Sequence, residues 1–431
     1  MISRKSHAAN PEWVRGSGKH RVYKSLFLLI VLIIGLLLSF STAFASDMDT
    51  LVDKLVKKGI LTKEEAKEVK RQAKEENVPS WMKNIKFKGD FRLMFQWQNE
   101  TDKPERTRGR IRLRLGVVKE INKKLEVGFG LATGGKNPRS TTVNLSDTFS
   151  SPDIRIDYAY AEYTPSTWLN IWGGKYKGIQ KAVWMASDLL WDSDIRPEGL
   201  GLRLNYTTGP GMHLFANTGV WILDEQKKDS DPIMYVIQPG LTWSNLEGIQ
   251  VKAAIAYYGF NAVQGYSLNH SSDSNTHLYT DSGGNNFLKY DYDSYAPSCE
   301  IGIMNTSSLI PYLALFGDYV HNTDPDTRND GYLAGLKIGH KKVKDSRQWQ
   351  FKYMYRRLEK DAWLDVFPDA DAFGGKTDVK GHEVTFDYGL GKHTSFGFDY
   401  YHMRGISYHM RDISGTSRKQ NLSQVYFLTR F

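Results

Sequence analysis

Residues 421–431, NLSQVYFLTRF, alternate between two kinds of side chain. In an extended chain Val425, Phe427 and Phe431 fall on one face, whereas Gln424 and Arg430 fall on the other. A period of two residues predicts a β-strand with one apolar face. Because soluble sheets also alternate in this way, this strand alone does not decide whether protein or lipid covers its apolar face.

The other end of the chain predicts export. Residues 25–40, SLFLLIVLIIGLLLSF, form an apolar run that follows Arg21 and Lys24 and precedes the small-x-small pattern Ala43-Phe44-Ala45. This order is typical of a signal peptide, so we predict cleavage after Ala45 and a signal peptide over 1–45. The alternative is a retained membrane helix, since the run approaches spanning length.

Composition then favours a closed barrel. No apolar run after residue 45 reaches the length of a spanning helix, and the mean hydropathy is −0.48. The other structure that satisfies every backbone hydrogen-bonding group in lipid is a closed β-barrel. Its strands alternate apolar and polar residues, so the hydropathy averaged over a window stays low. The 24 Tyr, 20 Phe and 11 Trp residues suffice for two aromatic girdles. An aromatic residue that ends the last strand resembles the assembly signal of bacterial outer-membrane barrels, which implies the barrel-assembly machinery as a partner of Phe431.

Charge and cysteine content exclude other classes. Without residues 1–45 the chain carries 51 basic and 47 acidic residues, because the leader holds six Lys or Arg and one Glu of the 57 and 48 in the whole chain. This balance gives no reason to expect nucleic-acid binding. The single cysteine, Cys299, excludes a disulfide within one chain.

The pattern predicts an all-β transmembrane antiparallel barrel of 16 strands, preceded by a short α-helical hairpin. Short connections follow the even-numbered segments and most long ones follow the odd-numbered, as in outer-membrane barrels with tight periplasmic turns and long external loops. The predicted strands are 85–98, 107–118, 124–133, 154–163, 168–175, 199–206, 212–223, 233–243, 248–260, 295–304, 309–320, 331–340, 348–358, 380–388, 394–402 and 421–431. The barrel domain is therefore predicted over 81–431.

Residues 46–80 predict a periplasmic helical hairpin and linker. Leu51, Leu55 and Val56 mark an apolar stripe, and Gly59 is placed to end the first helix. Thr62 and Glu65 have the spacing of a capping box at the start of the second. The segment holds eight basic and eight acidic residues, which is typical of a solvated module and not of a membrane anchor.

Several stretches together resemble the putative porins of Gram-negative outer membranes. They are KKGILTKEEA in the hairpin, GGKYKG at 173–178 leading to LLWDSDIRPEGLGLRL at 189–204, YLALFGDYVHN at 312–322, and the run from 336 to 392 that begins LKIGHKKVKDSRQWQFKYMYRRLEKDAW. The resemblance covers nearly the whole chain after residue 45. It implies an outer-membrane, pore-forming barrel, and by analogy a homotrimer, but it says little about the solute.

The strongest candidate for a lumen site is a basic wall. Arg108, Arg110, Arg112 and Arg114 share one face of a strand whose other face is apolar. An arginine on the lipid face costs about 2–4 kcal/mol at the bilayer midplane, so these side chains are predicted to point into the lumen. By the same parity, Lys86, Lys88 and Arg92 on the preceding strand join the wall. It either attracts anions or pairs with acids across the lumen to hold the barrel open, and the sequence leaves both readings open.

The facing acids are predicted in the third external loop, 176–198, which folds inward in sixteen-stranded porins. It contains Asp188, Asp192, Asp194, Arg196 and Glu198, with Trp184 and Trp191 as apolar anchors. An acidic loop opposite an arginine wall would place a transverse field across a constriction. The alternative is a solvated external loop whose acids bind cations associated with lipopolysaccharide.

These patterns predict a porin for passive diffusion of small hydrophilic solutes and ions, in contact with outer-membrane lipid and lipopolysaccharide. Two alternatives are a barrel hydrolase and an envelope tether that acts through the hairpin. The histidines lie in neither a His-Glu-x-x-His nor a Gly-x-Ser-x-Gly context, so we predict no enzyme, no catalytic residue, no cofactor and no metal.

Overall fold

The computed structural model describes residues 47–58, 60–68, 84–227, 230–410 and 415–431. The chain divides into two compact units, Met1–Lys83 and Asn84–Phe431. The predicted signal peptide over 1–45, the helix stop at Gly59 and the linker before the barrel lie outside the described residues.

In the first unit, helix α1 spans Asp47–Lys57, and residues 63–68 are also helical. The predicted capping box is present: the Thr62 N–H donates to Glu65 Oε2 at 2.8 Å, and the Glu65 N–H donates to Thr62 Oγ1 at 3.2 Å. Among the described residues, no helix has both the length and the apolar content that a membrane crossing requires.

In the described part of the second unit, sixteen antiparallel strands form a closed barrel, as the alternation predicted. The strands, here β1 to β16, are Ile85–Glu100, Arg106–Asn122, Leu125–Thr133, Ile154–Ser166, Leu169–Lys175, Glu198–Gly209, Met212–Ile222, Ile233–Ser244, Ile249–Asn261, Ser294–Met304, Tyr312–Asn322, Asp330–Gly339, Trp349–Leu358, Val379–Gly391, Thr394–Gly405 and Lys419–Arg430. Val143–Asn144 adds a short pairing to β2, and His277–Thr280 pairs with Asn286–Leu288.

The first and last strands close the barrel. β1 and β16 pair from Asp90↔Arg430 to Glu100↔Gln420. The backbone of Phe431 continues this ladder, because Gly89 N–H donates to its carbonyl at 2.8 Å and its own N–H donates back at 3.0 Å. A Cβ at Gly89 would lie 2.5 Å from the Phe431 ring, so the glycine makes room for the terminal aromatic side chain.

Alternation separates two faces of the barrel. Large apolar side chains such as Leu115, Leu200 and Leu315 are exposed on the outer face, where lipid would cover them. The connections at one end are short turns: the shortest, such as 123–124, has two residues, and the longest, 340–348, has nine. At the other end lie four long loops: L2 over 134–153, L3 over 176–197, L5 over 262–293 and L7 over 359–378.

The buried core lies inside the barrel, where L3 and L7 pack together. Trp191 of L3 and Trp363 of L7 have ring centroids 5.5 Å apart, and each is at most 2% exposed. Trp191 Nε1 donates to Tyr258 of β9 at 3.2 Å, and Trp363 Nε1 donates to the Leu190 carbonyl at 2.8 Å. These loops therefore fill part of a lumen that side chains of the wall cannot fill alone.

Candidate constriction site

The basic wall forms where β1 and β2 pair. Arg112 lies opposite Arg92, Arg110 opposite Met94 and Arg108 opposite Gln96. The four arginines of β2 occur at every second position, so their side chains point to the same side of the strand. Because Arg92 lies directly opposite Arg112, it shares the inner face with them. Lys86 and Lys88 continue this face toward the end with short turns, where both are exposed and Lys86 pairs with Glu120.

One carboxylate interrupts the wall. Asp90 of β1, which sequence analysis did not assign to the site, lies directly opposite Arg114. Its Oδ1 is 2.8 Å from Arg112 Nη2 and its Oδ2 is 2.7 Å from Arg114 Nε. Asp90 and Arg112 are each less than 9% exposed, so this pair is a buried structural contact.

The other arginines face the lumen without a carboxylate partner. Within the described residues, Arg92, Arg108 and Arg110 form no ion pair. Their polar contacts are neutral: Arg92 donates to Thr142 Oγ1 at 2.5 Å, Arg108 to Gln98 Oε1 at 2.9 Å and Arg110 to Gln96 Oε1 at 2.6 Å. These contacts orient the guanidinium groups and do not include an ion pair.

L3 folds into the lumen and crosses it. At one point the backbone N–H of Ser187 donates to Asp318 of β11 at 2.6 Å. Near the end of the loop, Asp194 Oδ1 reaches Arg114 at 3.1 Å, and its Oδ2 accepts from the Thr141 N–H at 3.0 Å. Lys252 of β9 lies 4.8 Å above the Trp184 ring. L3 therefore touches widely separated parts of the barrel wall.

Asp188 of L3 anchors the loop at a buried arginine. Arg356 of β13 is 3% exposed, and its Nη2 lies 2.5 Å from Asp188, 2.6 Å from Glu383 and 3.7 Å from Asp369. One oxygen from each of these three acids lies within 4.8 Å of the others, which is the geometry of a cation site. Here the cation is the guanidinium of Arg356, so the cluster ties L3 and L7 to the wall.

L7 also enters the lumen, which sequence analysis missed. Its N–H group at Ala370 donates to Asp192 Oδ2 at 2.9 Å, and Asp192 N–H donates to the Phe367 carbonyl at 2.7 Å. Asp371 accepts from Gln424 of β16 at 2.9 Å. The available signal was the apolar content of AWLDVF at 362–367, which is unusual in a solvated loop.

Arg139 of L2 joins the loops above the constriction. Its Nη1 donates to the carbonyls of Asp365 and Gly375 at 2.9 and 3.2 Å, and its Nη2 donates to the His270 carbonyl at 3.1 Å. Asp365 in turn accepts from the Ser274 N–H of L5 at 2.6 Å. L2, L5 and L7 are therefore held together by one buried cation and one buried anion.

A cavity of about 340 Å³ lies between the wall and these loops. The wall contributes cations to its lining, and L3 and L7 contribute acids. The wall residues are Arg92, Arg108, Arg110 and Arg112, and the loop residues are Asp192, Asp194, Asp369 and Asp371. Carboxyl groups of L3 and L7 thus lie in the same cavity lining as the arginines of β1 and β2, and half of these four loop acids come from L7.

The loop acids differ in their ionisation. Burial acts to raise the pKa of Asp194, but Arg114 and Arg112 hold it below its usual range. Burial, with the nearby carboxylates of Asp188 and Asp371, raises the pKa of Asp369 to about 8. Asp369 therefore keeps its proton at neutral pH, and the cavity carries more positive than negative charge.

Two residues of the predicted constriction loop lie elsewhere. Arg196 pairs with Asp157 of β4 at 3.0 Å and both are nearly buried, so it contributes no free charge. Glu198 begins β6 two residues before the outward-facing Leu200, so it lies on the same outer face, where it pairs with Lys175 at 2.5 Å. Its assignment to the lumen was wrong because the strand begins one residue earlier than predicted and fixes its parity.

The histidines show no catalytic arrangement in the described part of the chain. His402 lies near the end of the barrel with long loops, and its Nδ1 is 2.7 Å from Asn421 Oδ1. The side chain of His409 is outside the described part of the structure.

The chain is similar to known porins in sequence and in fold. A family described as "Putative porin" matches residues 97–289 and 288–431. A structure of OprB from Pseudomonas putida at high pH has a TM-score of 0.50 and 11% identity, covering 81% of this chain and 95% of that one. OmpF of Salmonella typhi in complex with daunomycin has a TM-score of 0.46 and 13% identity, covering 80% of this chain and 97% of that one. The outer membrane channel DcaP of Acinetobacter baumannii has a TM-score of 0.46 and 14% identity, with the same two coverages. Curated protein sequences gave no significant match.

Proposed function

The chain belongs to the putative porin family, and from that premise we propose that solutes cross its barrel through the cavity beside the β2 arginines. It is an outer-membrane porin, a passive diffusion channel for small hydrophilic solutes. The observation that carries the proposed route is the cavity lining, with arginines on β1 and β2 and carboxyl groups on L3 and L7.

We propose that the wall has two parts with different roles. Arg112 and Arg114 pair with Asp90, and Arg114 also with Asp194, so they brace L3 against the wall. Arg92, Arg108 and Arg110 contact neutral groups, so their charge remains available to a permeating ion. Both readings of the basic wall, anion attraction and structural pairing, then apply, but to different arginines.

We propose a preference for anions. Three guanidinium groups that form no ion pair among the described residues line the cavity, and the raised pKa of Asp369 reduces the opposing negative charge at neutral pH. A fixed positive potential raises the local concentration of anions and lowers that of cations. The transverse arrangement would also orient polar solutes as they pass.

The deciding experiment is single-channel recording of the full-length processed protein in planar bilayers. A porin gives stepwise conductance, and a tenfold salt gradient then gives a reversal potential with the sign of anion preference. Absence of conductance steps from a folded barrel would refute the pore, and a reversal potential of the opposite sign would refute the preference. Peptide or phospholipid hydrolysis would instead favour the hydrolase alternative.

Export, the hairpin and assembly are proposed from the sequence and from family resemblance. We propose that residues 1–45 direct export, that 46–80 form a periplasmic module, and that the barrel assembles as a homotrimer in contact with lipid and lipopolysaccharide. The pairing of Phe431 with Gly89 supports a role for the last residue in barrel assembly, since it completes the closing strand pair. Mass analysis of the exported protein tests cleavage after Ala45.

A further inference from the structure

Four cations form a row across four adjacent strands. Arg357 of β13 lies directly opposite Lys380 of β14, Lys380 opposite Arg404 of β15, and Arg404 opposite Lys419 of β16. Neighbouring strands are about 4.8 Å apart, so the row extends for about 14 Å around the barrel.

The row lies on the outer face. The neighbours of these cations in sequence, Leu358, Val379, Met403 and Gln420, are all at most 2% exposed and point inward. Side chains alternate along a strand, so the cations point outward. Arg404 and Lys419 are exposed, and Arg357 and Lys380 are partly exposed.

The row lies at the end of the barrel with long loops. Arg357 and Arg404 are each the last residue but one of their strands, Lys380 is the second residue of β14, and Lys419 is the first of β16. Two residues further into the barrel on the same face, Tyr355 of β13 lies opposite His382. Aromatic side chains mark the interface of the hydrocarbon layer, so cations beyond them are level with the lipid headgroups.

Like charges directly opposite each other destabilise a sheet unless something neutralises them. Within the described residues, Lys380, Arg404 and Lys419 form no ion pair. Among the described residues near the row, Glu359 lies 2.8 Å from Arg357, which is the one paired cation of the row, and Asp102 lies 3.3 Å from Arg418.

At two other places on the same rim, a basic side chain lies beside an acidic one. Lys175 of β5 pairs with Glu198 of β6 at 2.5 Å, and His321 of β11 lies 2.9 Å from Asp330 of β12. The row on β13 to β16 is different because, among the residues that the structure describes, three of its four cations have no such partner. A ligand that neutralises it must be anionic, must lie at headgroup level and must span several strands.

We propose that this row binds the phosphate groups of a phosphorylated glycolipid in the outer leaflet. The acyl chains of such a lipid would lie along the apolar outer face below the tyrosines, while its phosphates contact the cations. The inference rests on the proposed insertion of the barrel in the outer membrane, and it does not depend on ion conduction through the lumen.

The test uses the full-length processed protein, purified in a mild detergent, with native mass spectrometry as the readout. The probe is diphosphoryl lipid A, compared with the same lipid after enzymatic removal of both phosphates. The test variant is Lys380→Gln with Arg404→Gln, and the matched control is Lys175→Gln, which removes a cation from the same rim at an opposite-charge pair. Single-channel conductance of each variant confirms an intact barrel.

Two cations near an anionic lipid surface together strengthen binding about thirtyfold. The double variant, which lacks both, should therefore bind diphosphoryl lipid A about thirtyfold more weakly. The control should bind like the unmodified protein, and the dephosphorylated lipid should not distinguish the double variant from it. Equal binding of the diphosphoryl lipid to the double variant would overturn the proposal. So would complete displacement of the lipid by millimolar inorganic phosphate, which would identify a site for small anions. Loss of conductance in the unmodified protein would contradict the pore instead.

Discussion

Arg110 gives the most direct test of how the lumen selects ions. It lies in the middle of the wall arginines, lines the cavity, and donates to Gln96 at 2.6 Å and to the Thr142 carbonyl at 3.3 Å. It has no carboxylate partner among the described residues. The substitution Arg110→Gln therefore removes one charge from the cavity without leaving a buried acid unpaired.

The size of the effect follows from the cavity. In a space of about 340 Å³, an ion at the centre lies about 6 Å from the guanidinium charge. At that distance a water-like dielectric gives about 0.7 kcal/mol, a factor of about 3 in occupancy. Loss of the charge makes the cavity less favourable for anions and more favourable for cations by this factor, so the ratio of anion to cation permeability should fall about tenfold.

The assay is the reversal potential across a planar bilayer in a salt gradient, recorded at low total salt because screening weakens the effect. Arg110→Lys is the matched control, since it retains the charge and should retain the preference. If Arg110→Gln leaves the reversal potential unchanged while the conductance steps persist, the wall does not select ions. A change of equal size in Arg110→Lys would show that shape, and not charge, is responsible.

Three further predictions address the loops and the closure of the barrel. Trp191→Ala removes the aromatic contact with Trp363 and should lower the free energy of unfolding by about 3–5 kcal/mol, which thermal unfolding measures. The single-channel current should also become noisier, because L3 is held less firmly. An unchanged unfolding midpoint would contradict the role of this aromatic contact. Because the folded protein holds the proton of Asp369 until about pH 8, raising the pH through that value should add a negative charge and weaken anion preference, and Asp369→Asn should abolish this pH dependence of the reversal potential. Gly89→Val should displace the Phe431 ring, 2.5 Å from the new Cβ, and reduce the yield of folded barrel in refolding followed by gel mobility, whereas Gly209→Val, where a Cβ meets nothing within 4 Å, should not.

Local patterns predicted the barrel because each strand carries its own evidence. The parity of Arg108 to Arg114 followed from the cost of an arginine in lipid, and the register of β2 against β1 agrees with it. The inward path of the loop predicted over 176–198 was expected from topology and family analogy, and the contacts of L3 with Asp318 and Arg114 lie inside the barrel. Glu198 was assigned to the loop, whereas β6 begins at this residue and places its side chain on the outer face.

The sequence by itself determined the class of the molecule: a period of two residues repeated sixteen times, with apolar residues outward, is stable in lipid only as a closed barrel. The tertiary structure alone decided which of the wall arginines pair with a carboxylate. Asp90 lies on the same face as Arg92, and only the strand register brings it to Arg112 and Arg114. The acids of L7 reach the cavity through buried contacts made across the lumen, between residues more than a hundred positions apart, such as Trp191 and Trp363. Periodicity along the chain reports only which face a side chain occupies, whereas the compensation of a charge depends on what folds back against that face.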